Sequence, residues 1–496
     1  EIDEMRIYNA ADVDQCYGLL LKLIPQTRKE EVKLVDMTIR MLVEPTFESN
    51  SLLLADTLAE EGIRKKAMLI EAARKMDVYE IGMDDDEAAA AALTVLSSAA
   101  KFAAFLRTIE VDVPTKVSPT TGKEIPALAK TDEGFLSLQE HDDPLVATAA
   151  AARLDAKSTI LQTRIQAFMD ASNAHPQKKV PIPLKYYGAD TTGRWSGWGY
   201  NPQNLPRVNP YNPRPSDALR RSLIAPPGHK VVVADLSGIE LRVNHFLWRV
   251  PASMAMYQAE PEKADLYKDF ASKLYSVPYD DVTKVQRQVG KVAHLGLGFG
   301  AAWAAFQKVA KTMGGVDLTE EESRDVVEKW RSEYNDIPRG WRTCHDALPT
   351  IMRGSEGSAV DPWGMVTPVA EGLRTPKGMI RYPDLRTETN EETNRKEFVY
   401  GHGRSKARIY AGKIDENIVQ HLARCVIADN ALTVQRLTKM NPALMVHDEL
   451  VYIAPEDEAE QLLDLVQQVM RTPPEWWPEL VTWSEGDIAD TYGDAK

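Results

Sequence analysis

The chain has 496 residues, of which 44% are hydrophobic and 27% charged, so it is too long for one ordinary domain and too apolar for a disordered protein. Its 59 Lys and Arg residues against 73 Asp and Glu residues give a net charge of −14, which excludes a uniformly basic nucleic-acid binder but not an enzyme with a local positive surface. Three separated cysteines exclude a disulfide scaffold, and no apolar run approaches the roughly 18 residues that cross a bilayer.

The first 175 residues predict mostly helices, because leucines and isoleucines recur there at helical spacings. The alanine-rich run 88–95 follows four acidic residues, and acidic side chains favour the start of a helix. Residues 113–123 contain prolines and a glycine and predict a loop with two lysines. A second helical stretch is predicted for residues 143–171.

Residues 178–230 are rich in Pro, Gly, Asn and aromatic residues, and nine basic residues stand there against two acidic ones. Phosphate backbones bind to such local positive charge, and exposed aromatic rings stack on bases. This pattern indicates a nucleic-acid surface. The alternative, a solvated loop whose aromatic rings cover the core, stays open on composition alone.

Two carboxylates stand at the ends of apolar strands. Asp235 follows the run 231–234, and Asp448 lies in a predicted turn between strands at 443–446 and 449–453. Two carboxylates brought together repel one another unless cations bridge them, and oxygen ligands suit Mg²⁺ or Mn²⁺. The pair therefore predicts phosphoryl transfer assisted by two metal ions. Taken singly, each residue is more typical of a turn or a helix cap than of a metal site.

The remaining segments predict further helices and hairpins. Residues 256–350 have helical patterns, and the glycines and prolines of residues 351–400 predict loops and hairpins. One long helix is predicted for residues 405–438 and a shorter one for residues 456–470. An acidic segment ends the chain.

A stripe of side chains recurs at every fourth residue, from Arg287 through Lys291 and Leu295 to Phe299. On a helix these residues share one slowly turning face, where two cations and two apolar groups can bind a triphosphate, a sugar and a base. A cationic face that turns into a core face is the alternative. The glycines at 296–300 do not indicate a dinucleotide fold, because a helical pattern and not a strand precedes them.

These segments resemble the motifs of family A (DNA polymerase I-like) DNA polymerases, particularly the phage-encoded type. Residues 233–242 resemble motif A, residues 287–300 motif B and residues 446–450 motif C. Residues 192–207 resemble the upstream segment that contacts the primer–template minor groove. Residues 157–159 are similar to the signature between thumb and palm.

The resemblance implies a mainly helical α+β fold, a right hand with a thumb, a palm built on an antiparallel sheet, and helical fingers. It implies five segments in chain order, namely a remnant of a 3′→5′ exonuclease domain (1–15), the thumb and connecting helices (16–177), the first part of the palm (178–255), the fingers (256–400) and the second part of the palm (401–496). Tyr8 and Asp12 resemble the third exonuclease motif. Because the other two motifs are not in this sequence, we expect no proofreading by this chain.

The resemblance also implies the site residues. Asp235 and Asp448 would hold two Mg²⁺ ions, for which Mn²⁺ can substitute, with Glu449 nearby. Lys291 would bind the triphosphate and protonate the leaving pyrophosphate. The other implied contacts to the nucleotide are Arg287, Leu295, Phe299 and Glu240, which acts as a steric gate against a 2′-OH. The implied contacts to DNA, in part through minor-groove acceptors, are Arg194, Asn201, Gln203, Asn204, Gln420, His447 and Lys157.

Some residues depart from the family pattern. Phe299 stands where bacterial members usually carry Tyr, and Leu295 where Phe or Tyr is common. Tyr267 in the sequence Asp-Leu-Tyr at 265–267 replaces the more usual His, so we expect an altered phosphate contact from the fingers. Gly238 replaces a common Gln.

The sequence therefore predicts template-directed DNA synthesis from dNTPs on a primer–template, in viral genome replication, by a cytoplasmic monomer without membrane contact. A single-subunit RNA polymerase is the first alternative, and the Glu240 carboxylate opposes it. An inactive DNA-binding relic would have lost one of Asp235, Asp448, Arg287 or Lys291, all of which are present. A nuclease is opposed by the missing exonuclease motifs.

Overall fold

The structure, a computed structural model, describes residues 2–118, 122–130, 132–139, 141–207, 217–391 and 393–495. The chain divides into two compact units. The first comprises Glu1–Phe47, Pro181–Asn204 and Ile224–Lys496, and the second Glu48–Val180 and Leu205–Leu223. Arg214 of the basic stretch and residues 119–121 of the predicted lysine loop lie outside the described residues. The division into exonuclease remnant, thumb, palm and fingers stays a prediction.

Helices dominate the described residues, as the sequence predicts. In chain order, helices α1–α18 span Ile2–Leu23, Lys29–Val43, Ser51–Lys75, Asp85–Ser97, Ala99–Thr108, Glu133–Gln139, Pro144–Lys157, Ile160–Ala174, Ala218–Arg221, Ile239–Leu247, Pro251–Ala259, Leu266–Tyr275, Lys284–Leu297, Trp303–Gly314, Glu320–Glu333, Asp336–Met352, Ala411–Thr438 and Ala459–Arg471. The predicted helical character of residues 1–175 and 256–350 is confirmed.

The strands are short, and most of them lie in the second half of the chain. In chain order, strands β1–β16 span Glu48–Ser49, Thr115–Val117, Glu124–Pro126, Leu184–Lys185, Ser196–Gly197, Leu223–Ile224, His229–Leu236, Thr367–Val369, Gly372–Thr375, Gly378–Arg381, Arg386–Asn390, Arg395–Tyr400, Ala407–Ile409, Leu444–Val446, Glu449–Pro455 and Ser484–Ala489. Strands β8–β12 confirm the hairpins predicted for residues 351–400. The α+β class is also confirmed.

Three predicted helices have different bounds. The stretch 143–171 is two helices, α7 and α8, because Ser158 and Thr159 break the helical pattern and the Ser158 amide turns back to the Asp155 carbonyl. The predicted helix 405–438 begins only at Ala411, since residues 407–409 form β13 and pair with β12. Helix α18 likewise begins three residues later than predicted.

The second unit contains its own apolar core, built on helices α3–α7. Helix α4 is the predicted alanine-rich helix, and Asp84 and Glu87 form a reciprocal capping box at its start. No single helix in the described part of the chain is long and apolar enough to cross a membrane. Only α4 and α5 together meet that test, and they are bent by 98° at the break between them.

A four-stranded antiparallel sheet lies at the centre of the first unit, with the strand order β14-β15-β7-β16. Strand β7 is buried along residues 231–234, as its run of apolar residues predicts. The predicted strand–turn–strand at 443–453 is β14 and β15, and His447 in the turn has the left-handed φ of 51°. Strand β16 was not predicted.

Helix α13 carries the predicted stripe of cations and apolar groups. A capping box of Thr283 and Gln286 fixes its start, and the helix ends at Leu297. Arg287, Lys291 and Leu295 therefore lie on one helix as predicted. The prediction was wrong for Phe299, which lies in the turn after the helix, because the glycine-rich sequence at 296–300 ends the helical pattern.

Candidate active site

Three carboxylates lie in one row across the central sheet. Asp235 of β7 is directly opposite Glu449 of β15 on one side and Glu485 of β16 on the other. Residues opposite each other in an antiparallel sheet project to the same face. The amide of Leu236 also donates a hydrogen bond to the Asp448 carbonyl over 3.0 Å, so the hairpin turn adjoins the end of β7. The sheet thus brings both predicted metal carboxylates to one edge.

Glu449 is buried beneath this edge. Its Oε1 accepts a hydrogen bond from the Tyr492 hydroxyl over 2.7 Å, and both side chains are almost inaccessible to water. A buried carboxylate requires such partners, because removal from water is costly for a charge. Tyr492, which no sequence motif indicated, therefore directs one oxygen of Glu449 into the protein.

The residues at this edge fit a divalent ion. In the described ranges no group of three or more His, Cys, Asp or Glu residues is arranged as a complete metal site. Mg²⁺ is commonly bound by only one or two carboxylates, while water and substrate phosphates supply its other ligands. Asp235 and Asp448 provide such a pair of oxygen ligands, which suits Mn²⁺ as well. An ion held there would polarise a phosphate and activate an attacking oxygen.

A cavity of about 350 Å³ lies beside the hairpin turn. It brings together five of the predicted site residues from four parts of the chain. Its lining residues are Arg194, Gly238, Ile239, Glu240, Leu241, Tyr267, Leu295, Ala423, Arg424, His447 and Asp448. Cationic, acidic and apolar side chains therefore surround a space next to one of the two metal carboxylates.

Arg194 and Glu240 form an ion pair on the cavity wall, with 2.9 Å between Nη1 and Oε1. Burial raises the pKa of Glu240, the Arg194 charge opposes this shift, and Glu416 adds to it. Burial also lowers the pKa of His447, and the nearby Arg194 charge lowers it further. Arg194 thus links the predicted steric gate with the predicted contact near the primer terminus.

Helix α17 holds the backbone of the two residues that precede Arg194. The Arg424 Nε donates to the Gly193 carbonyl over 3.1 Å, and the His421 Nδ1 donates to the Thr192 carbonyl over 3.0 Å. Arg424 is itself buried and paired with Glu31 over 2.9 Å. Neither Arg424 nor His421 was predicted. The only signal was their position beside Gln420, since His421 follows it directly and Arg424 lies one turn later on the same helix.

Two predicted phosphate-binding residues of α13 do not line the cavity. Arg287 Nε donates to Asp265 Oδ2 over 2.6 Å, and Lys291 is half-buried without a hydrogen-bond or ion partner among the described residues. Phe299 lies in the turn beyond the helix. Its carbonyl would be only 2.1 Å from a Cβ on Gly412, so the turn contacts the start of α17 directly.

The residues predicted to contact DNA differ in their exposure to solvent and in their hydrogen-bond partners. Gln203 is buried, and its amide donates to the Met445 carbonyl over 3.3 Å, whereas Asn204 is exposed. The Asn201 side chain packs against the backbone of Gly197. Gln420 donates to Glu416 over 3.2 Å. Lys157 is exposed at the end of α7 in the second unit.

Comparison with known proteins now identifies the family. A family model described as DNA polymerase family A matches residues 86–347, which is more than half of the chain. The chain belongs to DNA polymerase family A. The matched range contains the carboxylate of β7 and all of α13, while the hairpin with Asp448 lies after it. The resemblance that the sequence motifs indicated is therefore confirmed.

Curated relatives agree with membership in family A. The DNA polymerase of Bacillus phage SP02 is 28% identical over 356 residues, covering 64% of this chain and 53% of the phage protein. DNA polymerase I of Pseudomonas aeruginosa is 27% identical over 354 residues, covering 70% of this chain and 34% of the bacterial protein. This family A chain thus spans about half the length of the phage relative and a third of the bacterial one.

A solved structure shares the fold of this family A chain. It is the POL domain of Pol1 from M. smegmatis in complex with DNA primer–template and dNTP, with a TM-score of 0.66 and 18% sequence identity. The match covers 99% of this chain and 74% of that chain. It confirms the predicted polymerase fold.

Proposed function

We propose that the chain catalyses template-directed DNA synthesis. The 3′-OH of a primer attacks the α-phosphate of a dNTP, the bond from that phosphorus to the bridging oxygen breaks, and pyrophosphate leaves. Asp235 and Asp448 hold the divalent ions, Arg287 binds the triphosphate, and Lys291 gives a proton to the leaving pyrophosphate. Family membership and the names of the relatives support this reaction.

One observation carries the proposal: two acidic residues from distant parts of the chain meet, backbone to backbone, at one edge of the sheet. Strand β15 pairs with β7 so that Glu449 is opposite Asp235, and the Leu236 amide bonds to the Asp448 carbonyl. A turn or cap role for each Asp alone does not require this meeting. Asp235 near the end of β7 and Asp448 in the adjoining turn would hold divalent ions, which would assist a phosphoryl transfer.

The cavity beside Asp448 supports a nucleotide as the substrate. Leu295 provides an apolar surface for the base or sugar. Glu240 and Arg194 form an ion pair that makes another part of the cavity wall polar. The Glu240 side chain opposes a 2′-OH by its size, because it fills the space that the hydroxyl would occupy beside the sugar. The cavity therefore favours deoxyribonucleotides over ribonucleotides.

The partners we propose are a DNA primer–template and dNTPs. The M. smegmatis structure, whose fold this chain shares, contains both. Exposed Asn204 and the half-buried side chain of Arg194 are available for minor-groove contacts. The phage relative supports a role in phage genome replication. Action as a monomer in the host cytoplasm is a further part of the proposal.

Primer extension on a DNA template with Mg²⁺ tests the function. The wild type should extend the primer with dNTPs but not with rNTPs, and Asp235→Ala and Asp448→Ala should each abolish extension while DNA binding persists. Asp487→Ala is the matched control, because it removes an exposed carboxylate from β16 opposite Val233 and not from the Asp235 row. Extension that survives in Asp235→Ala would overturn the assigned reaction site.

A further inference from the structure

The start of α12 packs against α13 and holds Arg287. Asp265 immediately precedes α12, and its two carboxylate oxygens have different partners. Oδ1 accepts from the Lys268 amide over 3.0 Å and so caps α12, while Oδ2 accepts from Arg287 Nε over 2.6 Å. A carboxylate fixed by a helix cap is a rigid acceptor for a guanidinium.

The arginine is held from a second side by an aromatic ring. The Arg287 guanidinium carbon lies 5.4 Å from the centroid of the Tyr267 ring, within the range of a cation–π contact. Tyr267 also lines the cavity beside Asp448. Tyr267 stands where the family pattern usually has His, and its ring contacts Arg287.

Helices α12 and α13 are in close contact, and this contact fixes the position of the backbone that carries Arg287. A Cβ on Gly290 would lie 2.1 Å from the Tyr267 carbonyl, so the two backbones are in direct contact at this glycine. One turn further, His294 Nε2 donates to the Leu266 carbonyl over 3.2 Å. Three consecutive residues of one turn, 265–267, therefore each contact a different turn of α13.

The contact with Asp265 uses only one edge of the guanidinium. Arg287 Nε is engaged, whereas Nη1 and Nη2 have no hydrogen-bond partner in the described ranges of the chain. Arginine binds phosphate best through two parallel donors. We propose that Asp265 is a positioning residue, which with Tyr267 orients Arg287 so that its terminal amino groups face the incoming triphosphate. The inference rests on the proposed function of the α13 stripe.

Asp265→Asn tests this role with little effect on the helix, because Asn caps a helix about as well as Asp. In single-nucleotide incorporation, KM for the dNTP should rise roughly ten-fold, which corresponds to one hydrogen bond to a charged group, and kcat should change less. Asp269→Asn, which removes a carboxylate paired with Lys273 on the same helix, is the matched control and should leave KM unchanged. Equal thermal unfolding of the variants will show that the fold is intact.

A double-mutant cycle separates positioning from any independent effect. If Asp265 acts through Arg287, Asp265→Asn should add nothing to Arg287→Ala. An unchanged KM in Asp265→Asn, or additive losses in the double variant, would overturn the inference while leaving the polymerase assignment intact. Calorimetric titration with tripolyphosphate measures the affinity of the same site for phosphate without catalysis. Weaker binding by both single variants in a chain that extends no primer would uphold the inference and refute the proposed function instead.

Discussion

Arg194 donates a hydrogen bond to Glu240 across 2.9 Å, although 46 positions separate them in the chain. The pair joins the loop after β4 to the first turn of α10, so the proposed minor-groove contact is bonded directly to the proposed steric gate. Because His421 and Arg424 hold the backbone next to Arg194, the position of the proposed gate depends on α17 as well. We therefore expect selection of the sugar to be coupled to contact with the minor groove.

Glu240→Ala should admit ribonucleotides. Removal of the carboxylate opens the cavity wall at the position that opposes a 2′-OH, and we expect the preference for dNTP over rNTP to fall roughly 10- to 100-fold. The measurement is kcat/KM for matched dNTP and rNTP on one primer–template. Glu240→Gln retains the size and an acceptor for Arg194, so it should keep most of the discrimination. An unchanged preference in Glu240→Ala would refute the gate.

Gly290→Ala should separate α13 from α12. Its Cβ would lie 2.1 Å from the Tyr267 carbonyl, and backbone atoms cannot yield as a flexible side chain does. Forced separation in a packed interior costs about 1–3 kcal/mol of unfolding free energy. We expect that loss in denaturant unfolding, together with a raised KM for dNTP because Arg287 moves away from Asp265.

Gly296→Ala is the control on the same helix. There the nearest atom to a new Cβ, apart from local backbone, is Phe306 Cδ2 at 3.9 Å, an ordinary contact. Alanine in a helix interior is more stable than glycine by about 0.5–1 kcal/mol, so this variant should be neutral or more stable. Equal destabilisation by both substitutions would contradict the close approach at Gly290.

The elements that hold the site could be predicted where the sequence carries a local signal. The apolar run of β7, the hairpin around His447 and the placing of Arg287, Lys291 and Leu295 on one face of α13 all follow from periodicity within a few residues. Strand β16 could not be found this way. Its sequence Ser-Glu-Gly-Asp-Ile-Ala has a glycine and no apolar alternation, and it is a strand only because β7 offers an edge to pair with.

Contacts between distant residues are the other part that the sequence does not predict. Arg424 and Glu31 are 393 positions apart, and neither belongs to a pattern that suggests a partner. Asp235 lies opposite Glu449 only in this strand register. A shift of one residue would turn one of the two side chains to the other face of the sheet. The motifs indicated which residues meet, whereas only the structure shows that Arg287 is held by Asp265 and that Glu449 faces Tyr492.

His421 should make the fold sensitive to acid. Burial lowers the pKa of His421 to about 4 from an ordinary value of 6.5, so in the folded chain the imidazole stays neutral where the unfolded chain binds a proton. The contribution of His421 to stability is therefore complete above pH 6.5 and is lost as the pH falls toward 4, with a slope of about 1.4 kcal/mol per pH unit for one proton.

Unfolding measured between pH 7 and pH 4 tests this expectation. His421→Asn keeps a donor for the Thr192 carbonyl but cannot bind the proton, so its unfolding free energy should fall less steeply with acidification than that of the wild type. His345→Asn, which removes an exposed imidazole outside this network, is the control. Identical pH profiles for His421→Asn and the wild type would show that His421 does not carry the effect.

Tyr492→Phe should destabilise the sheet edge that carries the proposed metal-binding carboxylates. The substitution removes the hydroxyl that donates to Glu449 over 2.7 Å and leaves that oxygen buried without this donor. Loss of a donor to a buried charged group costs about 1–3 kcal/mol. Denaturant unfolding should show the loss, and primer extension should weaken because Glu449 is next to Asp448 and opposite Asp235.

Tyr452→Phe provides a control in the same sheet. Tyr452 is as buried as Tyr492 and lies on β15, but its hydroxyl has no hydrogen-bond partner in the described residues. Removal of an unpartnered buried hydroxyl should be neutral or stabilising, because no bond is lost and less polar surface is buried. If Tyr452→Phe lowers stability as much as Tyr492→Phe, packing of the ring edge and not the bond to Glu449 explains both losses, and Tyr492 has no special part in holding the carboxylate.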